Sequence, residues 1–281
     1  MGKEALYLPQ ITRTQRCRAQ VLAVTSGKGG VGKTNIAANL GICLAASHKK
    51  VVLVDADMSL GNLDVLMNIN SKYNISHMLS GQKSIEEIIH VGPEGTEIIC
   101  GASGIESLAE VGEFQRHRLL AELTRLQRDS DAIIIDTAAG ISRSVVGFCL
   151  AADHVLVVTT CEATAMTDAY GMIKVLVGNR FDGRISLVVN MAETIAAGRK
   201  TYQQLAQVAR RFLDIHVYDA GVLVKDERLR SAVRKRTPVV LAYPKSQISA
   251  SLAALASRLG NGLAAQTDDV GFFGKVVNWF F

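Results

Sequence analysis

The chain has 281 residues, 48% hydrophobic but only 5% aromatic, with 24 glycines and a formal net charge of +5. It is long enough to bury a sizeable core, and an aliphatic, glycine-rich make-up suits a parallel sheet covered by helices, which we read as one domain. The five cysteines, Cys17, Cys43, Cys100, Cys149 and Cys161, show no CxxC pair and no histidine at metal spacing, so they read as reduced core residues of a cytoplasmic protein. No stretch reaches the ~18 apolar residues of a spanning helix, and residues 1–20 lack the apolar core of a signal peptide. The modest positive charge is compatible with nucleotides, anionic lipid or DNA as partners and chooses none of them.

Residues 1–20 are polar, contain Pro9 and show no usable period, so they read as a flexible arm carrying Arg13, Arg16 and Arg18. The apolar run Val21–Val24 then leads into Gly27-Lys28-Gly29-Gly30-Val31-Gly32-Lys33-Thr34-Asn35, and a helix follows to about Ala46. Strand, loop and helix come in the order that a phosphate loop requires. Its glycines let consecutive N–H groups turn inward around a phosphate at a helix N-terminus. Lys33 then reaches the β- and γ-phosphates, and the Thr34 hydroxyl holds Mg²⁺. A second lysine, Lys28, sits too near the start of the loop to curl back to the phosphates its own loop wraps, whereas a facing subunit can receive it.

Val51–Asp55 is a fully apolar strand ending in an acid, which brings Asp55 and Asp57 to the same sheet edge as the loop. Two short helices are expected over Ile75–Ile89, a strand over Thr96–Cys100, a loop of small residues over Gly101–Gly104 and an amphipathic helix over Phe114–Arg128. Ala132–Gly140 is a second apolar strand ending in an acid, so Asp136 is a Mg²⁺ ligand through water. Strands follow at His154–Thr160 and Ile185–Ala192, the latter carrying Asn190. Helices are expected to Val177, over Gly198–Phe212, over the cation-rich Lys225–Lys235 and from Ser246 to Leu259.

Residues 260–269 form a polar linker, and 270–281 an apolar tail. In the tail Phe273, Val276, Val277 and Phe280 recur at helical spacing, widened by Phe272 and Trp279. Twelve helical residues make only ~18 Å against a ~30 Å hydrocarbon core, so this tail can lie on a membrane but not cross it. Folding back over an apolar groove of its own domain is the alternative, and the two coexist if nucleotide releases the tail.

The loop with its second lysine resembles the deviant Walker A loop of the MinD/ParA family of ATPases. That resemblance implies a doubly covered, mostly parallel α/β sheet over residues 21–259. It also implies a homodimer sandwiching two ATP molecules, with Lys28 crossing to the partner's nucleotide. Asp55 to Asp64 looks like the first switch of these ATPases, in which Asp57 orients the attacking water and Asp55 supports the loop; Thr34, Asp55, Asp57 and Asp136 are the candidate metal residues. Asn190 sits where members meet the adenine edge, unless it closes a turn.

The words around Asp136–Ser144, Thr167–Tyr170, Asn190–Ala192 and Tyr243–Ser246 are similar to the FleN/FlhG branch, which limits flagellar number and placement. The branch implies a membrane-targeting helix and partners such as an FlhF-type GTPase, a transcription activator or a C-ring protein. Residues 1–20 lack the glutamine-containing motif used toward FlhF. A DNA-partitioning ATPase and a division-site regulator are the other members the resemblance allows.

Overall fold

The computed structural model describes residues 18–57, 61–101, 121–122, 124–261 and 271–280. Its strands are β1 (Gln20–Ser26), β2 (Val51–Ala56), β3 (Ile89–Val91), β4 (Glu97–Ile99), β5 (Ala132–Ala139), β6 (His154–Thr159), β7 (Arg184–Ala192) and β8 (Tyr218–Val224). They form one eight-stranded sheet in the order β3-β4-β2-β5-β1-β6-β7-β8, parallel throughout except for the β3–β4 pair at one edge. The helices are α1 (Lys33–Ala45), α2 (Leu63–Met67), α3 (Ile75–Leu79), α4 (Ile85–Ile88), α5 (Arg143–Ala151), α6 (Ala163–Gly178), α7 (Ile195–Leu213), α8 (Glu227–Arg234), α9 (Val239–Ala242), α10 (Gln247–Asn261) and α11 (Phe272–Phe280).

The uninterrupted apolar runs have a direct cause, because both faces of the sheet are covered. On β1, Val21 and Ala23 join one core, while Leu22 and Val24 join the other. The first core is closed by α3 to α7 and α11, the second by α1, α2, α9 and α10. Residues of the central strands therefore meet a helix on either face, and alternation disappears from their sequence.

Differences from expectation gather at the edges. Residues 18–20 pack onto the domain: Ala19 is buried and its N–H donates to the Gln127 carbonyl at 2.9 Å, while residues 1–17 lie outside the described residues. Ile89 starts the edge strand β3 rather than closing a helix, and β8 was not expected at all. Its pairing with β7 is irregular, and Gly221 adopts φ +125°, which breaks the apolar pattern that marks a strand. Cys161 is exposed, unlike the buried Cys100 and Cys149. Of the helix expected over 114–128, residues 121–122 and 124–129 are helical. Its first part, together with 102–104 of the small-residue loop and most of the linker, lies outside the described residues.

Candidate functional site

The phosphate loop lies at the carboxyl edge of the sheet, where β1 stands between β5 and β6 and the chain connections diverge to either side. Gly30 and Gly32 both take left-handed backbone, φ 79° and 93°, and Gly32 is the N-cap of α1. No side chain caps this helix and no acid occupies its first turn, so its N–H groups and positive dipole end remain available to an anion. A Cβ on Gly32 would stand 2.5 Å from the Asn190 amide nitrogen, which makes glycine obligatory there.

Strand register brings the acids together. Asp55 on β2 lies directly beside Asp136 on β5. Asp136 is buried, and burial pushes its pKa up to about 7, opposed by a hydrogen bond from Thr34 and by the nearby Lys33 charge. Its Oδ1 is buried with no hydrogen-bond partner among the described residues. An orphaned carboxylate oxygen beside a threonine hydroxyl fits Mg²⁺, which binds through one or two protein oxygens, water and phosphate. Among the described residues no three His, Cys, Asp or Glu side chains converge on a metal position, so phosphate oxygens and water would complete the shell.

Asp55 holds the switch loop. Its Oδ1 accepts the Asp57 N–H at 3.0 Å and its Oδ2 the Leu63 N–H at 3.2 Å, spanning the segment from Asp57 to Leu63. Burial raises its pKa to about 6. Both oxygens of Asp55 thus accept backbone amides, which ties the start of the switch loop to its far end. Asp57 comes near enough to Lys33 to oppose, with Asp136, the lowering of the Lys33 pKa by burial. Residues 58–60 of the switch lie outside the described set.

The two loop lysines part company. Lys33 is buried beside the acids, whereas the Lys28 ammonium donates to Glu162 Oε2 at 2.8 Å and to Thr164 Oγ1 at 3.1 Å, at the surface where α6 begins. Glu162 and Thr164 escaped the sequence reading, although an acid at a helix start on the sheet's carboxyl edge was a usable signal. Asn190 is buried and its amide nitrogen donates to the Val31 carbonyl at 2.8 Å, tying β7 to the phosphate loop.

The tail is docked on its own domain. Phe272, Phe273 and Val276 are buried in the core that α5 closes, which places these three of the expected membrane-facing residues inward. Trp279 Nε1–H donates to the Arg143 carbonyl at 3.1 Å, and Arg143 Nη2 donates back to the Trp279 carbonyl at 3.2 Å. Gln127 Oε1 accepts the Phe272 N–H at 3.2 Å. The side chains of Val277 and Phe280 lie outside the described set. No helix among the described residues is long and apolar enough to cross a membrane.

Comparison with known proteins agrees with this geometry. The family profile described as "AAA domain" matches residues 19–179. The chain is 39% identical over 242 residues to the "Antiactivator FleN" of Pseudomonas aeruginosa, covering 85% of this chain and 86% of that one. It is 35% identical over 239 residues to the "Flagellum site-determining protein YlxH" of Helicobacter pylori, covering 85% and 81%. Among solved structures, the MinC:MinD cell division protein complex of Aquifex aeolicus superposes with a TM-score of 0.71 at 25% identity, over 89% of this chain and 99% of that one. Loop, acids, sheet order and these relatives together place the chain in the MinD/ParA family of phosphate-loop ATPases.

Proposed function

We propose that this chain is an ATP-driven dimerisation switch that sets flagellar number and placement, with membrane and partner binding gated by nucleotide. The observation that carries the reading is the separation of the two lysines. Lys33 is buried with Asp136 and Asp57, where it serves the phosphates of its own loop. Lys28 is held on the surface by Glu162 and Thr164, where a second subunit docking on the carboxyl edge would receive it. Thr34 and Asp136 would hold Mg²⁺, which when bound would neutralise the charge that develops as the ATP phosphoanhydride is cleaved. Asp57 orients the attacking water, and the Asp55 clamp sets where Asp57 stands. The flagellar setting comes from the relatives' roles as antiactivator and site-determining protein.

The docked tail gives the gate a physical form. Burying Phe272, Phe273 and Val276 stabilises docking by roughly 4–9 kcal/mol before ordering costs, and insertion into a lipid interface returns a similar amount. Smaller terms then decide the balance. Among them are the two Arg143–Trp279 hydrogen bonds, each worth about 1 kcal/mol. Arg143 opens α5 directly after the segment that leaves Asp136, so a nucleotide-driven shift of that segment displaces the latch.

Turnover and mass measurement with MgATP test the core of it. Lys33→Ala is expected to lose nucleotide binding and hydrolysis together. Lys28→Ala is expected to bind ATP but remain monomeric and turn over at least tenfold more slowly. A Lys28→Ala protein that dimerises and hydrolyses like the parent would refute the facing-subunit role. In cells, Lys28→Ala is expected to change the number of flagella; a normal count with defective DNA partitioning would favour the DNA-partitioning reading.

A further inference from the structure

We propose that the outer edge of the sheet carries a pocket for a small organic anion, one with an apolar body and a single phosphoryl or carboxyl group, separate from the phosphate loop. Strand β8 is the last of the sheet and has no strand beyond it. Helix α7 flanks it from the first core and α10 from the second, and between them lies a cavity of about 470 Å³. That volume falls within the roughly 300–1,000 Å³ of small-molecule sites. The lining is mixed in the way such sites require. Val188, Ala220 and Leu223 are buried and apolar, while Arg199 comes from α7, Arg258 from α10 and Asp219 from β8.

An irregular strand builds this cavity. The pairing of β7 with β8 slips between Leu187 and Val188, and opposite the slip Gly221 takes φ +125°. A Cβ on Gly221 would stand 2.8 Å from Arg258 Nη1, so the glycine admits the guanidinium. Arg258 Nη1 then donates to the Ala220 carbonyl at 3.1 Å, which fixes the side chain at the cavity wall. A guanidinium has five N–H donors, so most of them remain for a ligand. Arg199 makes no hydrogen bond or ion pair among the described residues, and no salt bridge there joins Asp219 to either arginine. Two guanidiniums at one apolar cavity, neither neutralised by the acid beside them, favour an anion. Asp219 disfavours a polyanion and suits a ligand that carries a hydrogen-bond donor next to its one charged group. A bulged register and an arginine on the edge carbonyl also keep an added peptide strand away, which leaves a small molecule as the occupant.

Phenyl phosphate and phenylacetate are the probes, titrated into protein labelled at Ile, Leu and Val methyls with Mg·ADP present to fill the phosphate loop. At least one is expected to shift the Val188, Ile195 and Leu223 methyl resonances saturably, and the tighter of the two names the anionic group. Inorganic phosphate, which lacks the body, and benzyl alcohol, which lacks the charge, are expected to bind at least about fivefold more weakly. Arg199→Gln is expected to weaken binding about three- to tenfold, and Ala254→Phe, at an exposed position of α10 that lines the cavity, to abolish it. Both variants are expected to unfold and bind ADP as the parent does. Absence of a saturable shift at these methyls with either probe would overturn the pocket, as would an Arg199→Gln protein that binds like the parent. Inorganic phosphate binding as tightly as the better probe would overturn the apolar body. ADP binding is read in the same samples, so a failure of the nucleotide reading would show separately.

Discussion

His154 shows how a single side chain couples this sheet to pH. It is buried at the start of β6, its Nε2 lies 2.8 Å from Ser186 Oγ, and burial, aided by the Arg184 charge, lowers its pKa from 6.5 to about 4. Above pH 6.5 the ring is neutral in folded and unfolded chains alike. Between about 6.5 and 4 the unfolded chain takes up a proton that the folded one refuses, so stability falls as pH falls, levelling off once both are charged. The ceiling on this loss is about 3 kcal/mol at 1.36 kcal/mol per unit. Urea denaturation of the parent is expected to weaken between pH 7 and 4.5, and His154→Gln to flatten that slope; parallel slopes would assign the acid sensitivity to other groups. Single residues also mark the limit of sequence reading. Lys33, Thr34, Asp57 and Asp136 announce themselves through neighbours and spacing. Glu162 and Thr164 do not, because nothing in the letters around them shows that the Lys28 ammonium lies against them.

Helix α11 is an element whose periodicity was plain and whose address was not. The stripe Phe273, Val276, Val277, Phe280 fits a membrane interface and an apolar groove equally well, and only the groove's own shape decides what covers it. Gly147 supplies part of that shape: a Cβ there would lie 2.3 Å from Trp279 Cδ1. Gly147→Ala is therefore expected to push the tail off, while alanine inside α5 favours the helix by up to about 1 kcal/mol and leaves the domain folded. Trp279 is the one tryptophan of the chain, so its fluorescence reports the tail alone. Without nucleotide, Gly147→Ala is expected to red-shift the emission in buffer and blue-shift it again on adding anionic vesicles. Unchanged emission in buffer would mean that the indole tilts and the helix stays. The same logic explains the missed strands. β8 is interrupted by Asp219 and a left-handed Gly221, and β3 is three residues long. Edge strands are stabilised on one side only, so the long apolar runs that betray the centre of the sheet have no counterpart there.

At the scale of the whole molecule, the sheet separates two surfaces. The docked tail belongs to the face closed by α5, whereas the exposed Arg228, Arg230 and Arg234 of α8 belong with the helices of the opposite face. A membrane that receives the tails is thus not the surface the basic helix meets. On the proposed reading one tail would bind a bilayer weakly and reversibly, since most of its burial energy is already realised against its own groove. Two tails on an ATP-bound dimer would act together, because the first contact would raise the effective concentration of the second and could multiply affinity by roughly 10²–10⁴. Asp57→Ala, which should trap the ATP state, is accordingly expected to sediment with anionic liposomes in ATP and not in ADP. Lys28→Ala, held monomeric, should stay in solution, and Asp57→Ala ending at Gln266 should stay there too. If the shortened protein still pelleted with ATP, attachment would run through another surface, with the α8 arginines the first to examine. Loss of pelleting on truncation, with ATP dimers intact, would make tail number the quantity that nucleotide controls: the loop at the carboxyl edge would count subunits, and the lipid would read the count.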